Sequence, residues 1–193
     1  GAAIDAIMRA EWRYGRQSAE SMERIICGDQ WLSLVERRHG NKETYVIKAG
    51  DEALIVPLTA GRRVLLTVEP SPALGHDVLI LPGGEVAAGE LPLETANREL
   101  QEEVGCRAGR LDFLAALHPW SKYLTVTCHI YLARDLVSGR LEGDEDYAIG
   151  VEAHPLNNFE GLIAAGRLAD ARVIAALYLA RRYLQWERQA ARP

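Results

Sequence analysis

The spacing of apolar residues along this chain changes several times, and each change marks an element. Over residues 3–26, Ile4, Ile7, Met8 and Trp12 recur at mixed three- and four-residue spacing, which predicts a helix interrupted at Gly15. Residues 31–37 and 43–48 read as two short strands across the turn-rich His39-Gly40-Asn41. Residues 53–58 and 63–68 follow as a hairpin joined by Thr59-Ala60-Gly61, and a short buried strand over 78–81 ends at Pro82-Gly83-Gly84. From 91 to 104 the period becomes helical. Leu93, Ala96, Leu100 and Val104 line one side, Glu99, Glu102 and Glu103 lie largely on the other, and Gly105 supplies the stop. Residues 111–117, 124–133 and 148–153 return to a strand pattern, with a polar loop over 137–147 between the last two. A short helix over 159–165, capped by Asn157-Asn158, and a final helix from the cap Asp170 to about Arg188 complete the pattern.

The elements predict a mixed α/β domain. Residues 1–50, a helix and two strands, read as a separate dimerising or lid-like portion, and 51–193 as the main domain. Apolar residues at 48% and charged ones at 25% supply a core for one domain of this length. No apolar run approaches the roughly 18 residues of a membrane span, so no membrane partner is expected. The cysteines at 27, 106 and 128 have no paired spacing. That excludes a disulfide framework or a zinc knuckle and suits a reducing compartment, here expected to be the cytoplasm. Nothing at the start reads as a signal peptide.

Charge changes the picture more. Residues 84–106 hold Glu85, Glu90, Glu94, Glu99, Glu102 and Glu103 against the single base Arg98, a local excess equal to the net charge of −5 of the whole chain. Such a segment repels a nucleic-acid backbone and attracts divalent cations. Glu99 and Glu103, four residues apart on a helix, can converge on one ion, and Glu102 borders the same patch. All-oxygen donors favour Mg²⁺ first and Mn²⁺ second. The plain alternative is a solvated helix face. Against it stands Pro82-Gly83-Gly84, which brings bare backbone, and a carbonyl as a further ligand, close to the acids. Arg98 can pin Glu90 or the glycine loop through a bidentate pair. A glycine loop beside a metal-binding helix suits a diphosphate.

The spacing Gly84, five residues, Glu90, seven residues, then Arg98-Glu99-Leu100-Gln101-Glu102-Glu103-Val104-Gly105 resembles the signature of the Nudix hydrolases. Cys106 departs from the usual Ile, Leu or Val and changes packing more than chemistry. The resemblance implies a Nudix-like mixed-sheet α/β/α sandwich with a small N-terminal strand-containing extension. It also implies cleavage of a nucleoside diphosphate linked to another moiety. Glu99 and Glu103 would be the principal metal ligands, Glu102 a further or water-mediated one, and the Gly83 carbonyl an additional one. Gly84, Glu90, Arg98 and Gly105 would hold the motif's shape.

Outside the signature the chain is similar to the ADP-ribose pyrophosphatase and ADP compounds hydrolase branch, through Leu81-Pro82-Gly83-Gly84, residues 119–123 and residues 141–145. That likeness implies an acidic loop residue that activates water, Glu145 first and Asp144 in reserve, and a homodimer built on the early strands. It further implies a phosphate-binding arginine near residues 68–74, where this chain carries Glu69-Pro70-Ser71-Pro72 instead. Lys122, Arg62, Arg63 or a partner subunit are then the candidates for phosphate contact. Trp120 and Tyr123, with Trp31 and Tyr45 behind them, are candidates for stacking on a base. NADH, diadenosine polyphosphates and other nucleotide sugars are alternative substrates. A catalytically silent nucleotide-binding or scaffold protein is the alternative of a different class.

Overall fold

A computed structural model describes residues 22–143 and 145–190. The strands, in chain order, are β1 (Met22–Gly28), β2 (Leu32–His39), β3 (Lys42–Ala49), β4 (Glu52–Pro57) and β5 (Arg63–Ser71). They continue with β6 (His76–Ile80), β7 (Gly83–Glu85), β8 (Cys106–Leu117), β9 (Cys128–Ser138) and β10 (Gly150–Pro155). The helices are α1 (Pro92–Glu99), α2 (Phe159–Ala164) and α3 (Ala171–Ala190). The strands form three sheets, ordered β1-β2-β3, β10-β5-β6 and β7-β4-β9-β8. No helix among the described residues is long and apolar enough to cross a membrane.

The third sheet is mixed, since β4 runs parallel to β9 and antiparallel to β7. Alternation along β4 explains its layers. Ala53 and Ile55 pack with Ala96 and Leu100 of the motif helix, whereas Leu54 and Val56 join the larger core with Leu66, Phe159, Val173 and Leu177. Helices thus cover both faces, as in an α/β/α sandwich. At α3, Asp170 Oδ1 accepts the backbone N–H groups of Arg172 at 2.7 Å and Val173 at 3.2 Å, the cap expected there.

Several elements differ from the sequence expectation. The helix over 3–26 ends as strand β1 at residues 22–26, while its earlier part lies outside the described residues. Long-range pairing with β2 (Ile25 opposite Val35, Met22 opposite Arg38) overrides the local spacing. Residues 53–58 and 63–68 do not form a ladder; one bridge, Leu58 to Val64, joins them. β4 already has β7 and β9 on its two edges, so after Thr59 the chain passes to the other sheet. Gly83 and Gly84 are themselves a strand edge, paired with Leu54 and Ala53. Asn158 caps α2 without a side-chain hydrogen bond. The final turn of the motif helix, Leu100–Val104, is π-helical rather than α, a widening that recurs at functional sites.

Candidate active site

The motif helix starts at Pro92, where a missing N–H costs nothing, and Glu94 Oε2 closes its first turn by accepting the N–H of Leu91 at 3.0 Å. It ends at Gly105, whose φ of 76° is the left-handed cap that glycine adopts without strain. Between these stops, Ala96 and Leu100 bury one side and the glutamates are left together on the other. Gly84 lies so close that a Cβ there would stand 2.2 Å from Glu99 Oε1. A side chain at Gly84 would displace the Glu99 carboxylate.

Arg98 organises the glutamates. Its Nε and Nη2 donate to the two oxygens of Glu90 at 3.1 and 3.2 Å, while Nη1 donates to Glu99 Oε1 at 2.8 Å and Glu102 Oε2 at 3.0 Å. Thr95, buried, donates from Oγ1 to Glu90 Oε2 at 2.8 Å. Hydrogen bonding to Arg98 holds the Glu90 carboxyl below its usual range, so it stays charged and anchors the guanidinium.

Glu103 is different. Only 5% of it is exposed, and Oε2 accepts the N–H of Gly83 at 3.1 Å. Burial first, then the charges of Glu69, Glu99 and Glu145, push its carboxyl up to about 9, against the smaller opposing effect of the Gly83 amide. These carboxylates belong to one site. A cavity of about 230 Å³ is lined by Glu99, Glu102, Glu103, Arg140, Glu145 and Tyr147, with Gly143, Ala148 and Ile149.

The structure therefore brings Glu145 to the same cavity as the helix glutamates. Asp144 lies outside the described residues. Gly83 meets Glu103 through its amide. Arg62 and Arg63 are placed elsewhere, at the start of β5. Arg63, the first residue of the strand, stands six residues, or roughly 20 Å of strand, before Glu69, and Arg62 immediately precedes it. Arg62 lines a separate cavity with Leu58, Asp135 and Leu184, and Arg63 Nη2 donates to the carbonyl of Ala153. Trp120 and Tyr123 are exposed and pack edge to face at 5.0 Å, with Lys122 exposed between them. They sit beside β3 of the N-terminal sheet, since the carbonyl of Tyr123 accepts the N–H of Ile47.

Glu69 is the residue that sequence reasoning passed over. Its Oε2 accepts the phenol of Tyr147 at 3.3 Å, while its Oε1 is buried with no hydrogen-bond partner among the described residues. Burial, followed by the charge of Glu69, raises the Tyr147 phenol above its usual range. Glu69 also lines a larger cavity of about 910 Å³, bounded by β5, β6, Arg167 and Arg172. Only the missing arginine marks this position in the sequence.

The donor set suits a hard divalent cation. It is all oxygen, burial and then neighbouring carboxylates raise the Glu103 carboxyl, a repulsion that a cation would offset, and an oxygen of Glu69 is buried without a hydrogen-bond partner among the described residues. Among the described residues no preformed group of three or more His, Cys, Asp or Glu stands ready to hold a metal. Arg98 Nη1 is the positive group between Glu99 and Glu102.

A NUDIX domain model matches residues 49–177. The chain is 37% identical over 102 residues to the ADP compounds hydrolase NudE of Escherichia coli (strain K12), covering 53% of this chain and 55% of that one. It thus spans about half the length of this relative. It is also 25% identical over 169 residues to the ADP-ribose pyrophosphatase of Bacillus subtilis (strain 168), covering 84% and 89%. A crystal structure of an ADP compounds hydrolase superposes with a TM-score of 0.75 at 26% identity, covering 86% of this chain and 93% of that one. The chain belongs to the NUDIX domain family. Within it, the chain is a Nudix hydrolase related to the ADP-ribose pyrophosphatase and ADP compounds hydrolase branch.

Proposed function

We propose that this protein hydrolyses the diphosphate linkage of ADP-ribose or a related ADP compound, releasing AMP and a second phosphate product, with a divalent metal as cofactor. The observation that carries the reading is the convergence of Glu99, Glu102, Glu103 and Glu145 on one cavity beside the Gly83-Gly84 strand edge. The names of the relatives support the substrate class. Mg²⁺, or Mn²⁺ in its place, held by Glu99 and Glu103 with Glu102 and the Gly83 carbonyl, would screen the phosphates and lower the pKa of attacking water.

The chain's own residues do the rest. Thr95 fixes Glu90, Glu90 fixes Arg98, and Arg98 fixes the directions of Glu99 and Glu102. Glu145, with Asp144 as the alternative, accepts the proton of the attacking water as its oxygen bonds to one phosphorus and the bridging P–O bond breaks. Lys122, Trp120 and Tyr123 offer a cation and two aromatic faces to the remainder of the substrate.

A panel of ADP-ribose, NADH, ADP-glucose, diadenosine triphosphate and GDP-mannose, read by product chromatography with Mg²⁺ and again with EDTA, tests this. Metal-dependent AMP release, fastest from ADP-ribose or another ADP compound, is the expected result. Binding without turnover of any of them would instead indicate a silent nucleotide-binding protein.

We further propose a cytoplasmic homodimer joined through the N-terminal sheet. The described cysteines are all free, which suits a reducing compartment. Ile25, Trp31, Leu32 and Tyr45 are large apolar residues half or more exposed on β1, β2, β3 and the turn between β1 and β2, a concentration that marks association surfaces. Light scattering should give roughly twice the 21.3 kDa chain mass. A 21.3 kDa particle across micromolar concentrations would remove the dimer.

A further inference from the structure

We infer that Arg140 is the residue with which this chain grips the substrate's diphosphate, an inference that rests on the pyrophosphohydrolase reading above. The cavity that holds the reaction is walled by the carboxylates of Glu99, Glu102, Glu103 and Glu145, and among the described residues lining it Arg140 is the one cation. A diphosphate entering such a cavity meets negative charge on several sides. A positive group inside it would offset that repulsion alongside any metal.

Arg140 is placed for that task and not otherwise engaged. The backbone on either side is tied to the end of the motif helix: the N–H of Gly139 donates to the carbonyl of Gly105 at 3.1 Å, and that of Leu141 to the carbonyl of Gln101 at 3.3 Å. The side chain lies across Gly105, where an added Cβ would come within 3.5 Å of Nη1 and 3.9 Å of Cβ and Cδ. These are ordinary contact distances, so the arginine packs against the helix stop at Gly105. Its guanidinium is exposed and makes no ion pair or side-chain hydrogen bond among the described residues, although acids line the same cavity. Arg98, by contrast, is spent on Glu90, Glu99 and Glu102.

The neighbouring segment sharpens the argument. Residues 68–74 hold no arginine, and Glu69 puts a carboxylate there instead. Arg63 opens that strand at its far end, with Arg62 just before it. A guanidinium fork matches two phosphate oxygens at once, which a lysine ammonium does not.

The test compares wild type with Arg140→Gln and Arg140→Lys in three measurements: kcat and KM for ADP-ribose, calorimetric affinity for ADP in Mg²⁺, and melting temperature. Arg140→Gln should raise KM about tenfold or more and weaken ADP binding by a similar factor, as expected for losing charge-assisted hydrogen bonds. The fall in kcat should be smaller. Arg140→Lys should recover part of both, because the charge returns without the fork. An Arg140→Gln protein with unchanged KM and ADP affinity beside an active wild type overturns this inference alone, and a lowered melting temperature in that case makes Arg140 only a cation at a helix end. A wild type that neither binds ADP nor hydrolyses ADP-ribose overturns the functional reading and this inference together.

Discussion

Glu103→Gln should lose most of the hydrolytic turnover, by more than about tenfold, the lower end for damage to a metal site. Glutamine keeps nearly the same shape and can still accept the Gly83 amide, but it removes the charge that a cation needs. The control is Glu94→Gln, a change in the same helix that leaves an acceptor for the Leu91 amide and lies outside the cavity. Its turnover should stay close to wild type. Near-normal turnover of the Glu103 variant at saturating Mg²⁺, with its fold verified by circular dichroism, would sink the assignment of Glu103 as a ligand.

The same substitution has a signature that needs no substrate. In the unfolded chain Glu103 titrates near the ordinary 4.5, whereas in the folded protein burial and the charges of Glu69, Glu99 and Glu145 raise it to about 9. Between those values the folded state holds a proton that the unfolded state has released. Stability from this group is therefore full below pH 4.5 and declines as pH rises toward about 9. Each pH unit between the two titrations corresponds to about 1.4 kcal/mol, so even part of the separation moves the melting temperature by several degrees. Metal-free wild type should lose thermal stability over this range, and Glu103→Gln should show a flatter profile. Mg²⁺ should stabilise wild type more at pH 8 than at pH 6 (about two units apart), because its ligand must first give up the proton.

The acidic helix was legible because its information is local. Glu99, Glu102 and Glu103 share a side through helix periodicity, and Gly105 stops the helix by its backbone alone. What the sequence could not convey depends on pairing across distance. β1 carries residues 22–26, which look helical by spacing, yet β2 recruits them as a strand. Residues 53–58 and 63–68 look like a hairpin, but β4 is already occupied on both edges. Glu69 shows the same limit inside the site. In sequence it marks only a missing arginine. In the fold, β5 pairs Val68 with Gly150, which carries Glu69 toward Tyr147 and Glu103. The sheet also decides the fate of Arg62 and Arg63, since strand direction puts them at the end away from the acids. The π-helical last turn had no mark in the apolar pattern, because Leu100 and Val104 satisfy an α-helical period equally well.

Glu145→Gln should lower kcat by about 10²-fold while leaving substrate binding close to wild type, the behaviour expected of a general base. Glu145 lines the cavity with Glu99, Glu102 and Glu103, close enough for its charge to raise the Glu103 carboxyl. It is also exposed, so it can take a proton from water and return it to solvent. A ligand would behave differently: its loss would raise the Mg²⁺ requirement as well. Rates measured against both ADP-ribose and Mg²⁺, for Glu145→Gln and Asp144→Asn side by side, separate the possibilities. A fall in kcat at every Mg²⁺ concentration for the Glu145 variant alone identifies it as the base. The same fall for the Asp144 variant alone moves the base one residue earlier. A deficit that high Mg²⁺ repairs makes Glu145 a ligand, and two variants with ordinary kcat leave proton removal to another carboxylate, Glu69 beside the cavity being the one whose charge acts most strongly on Glu103.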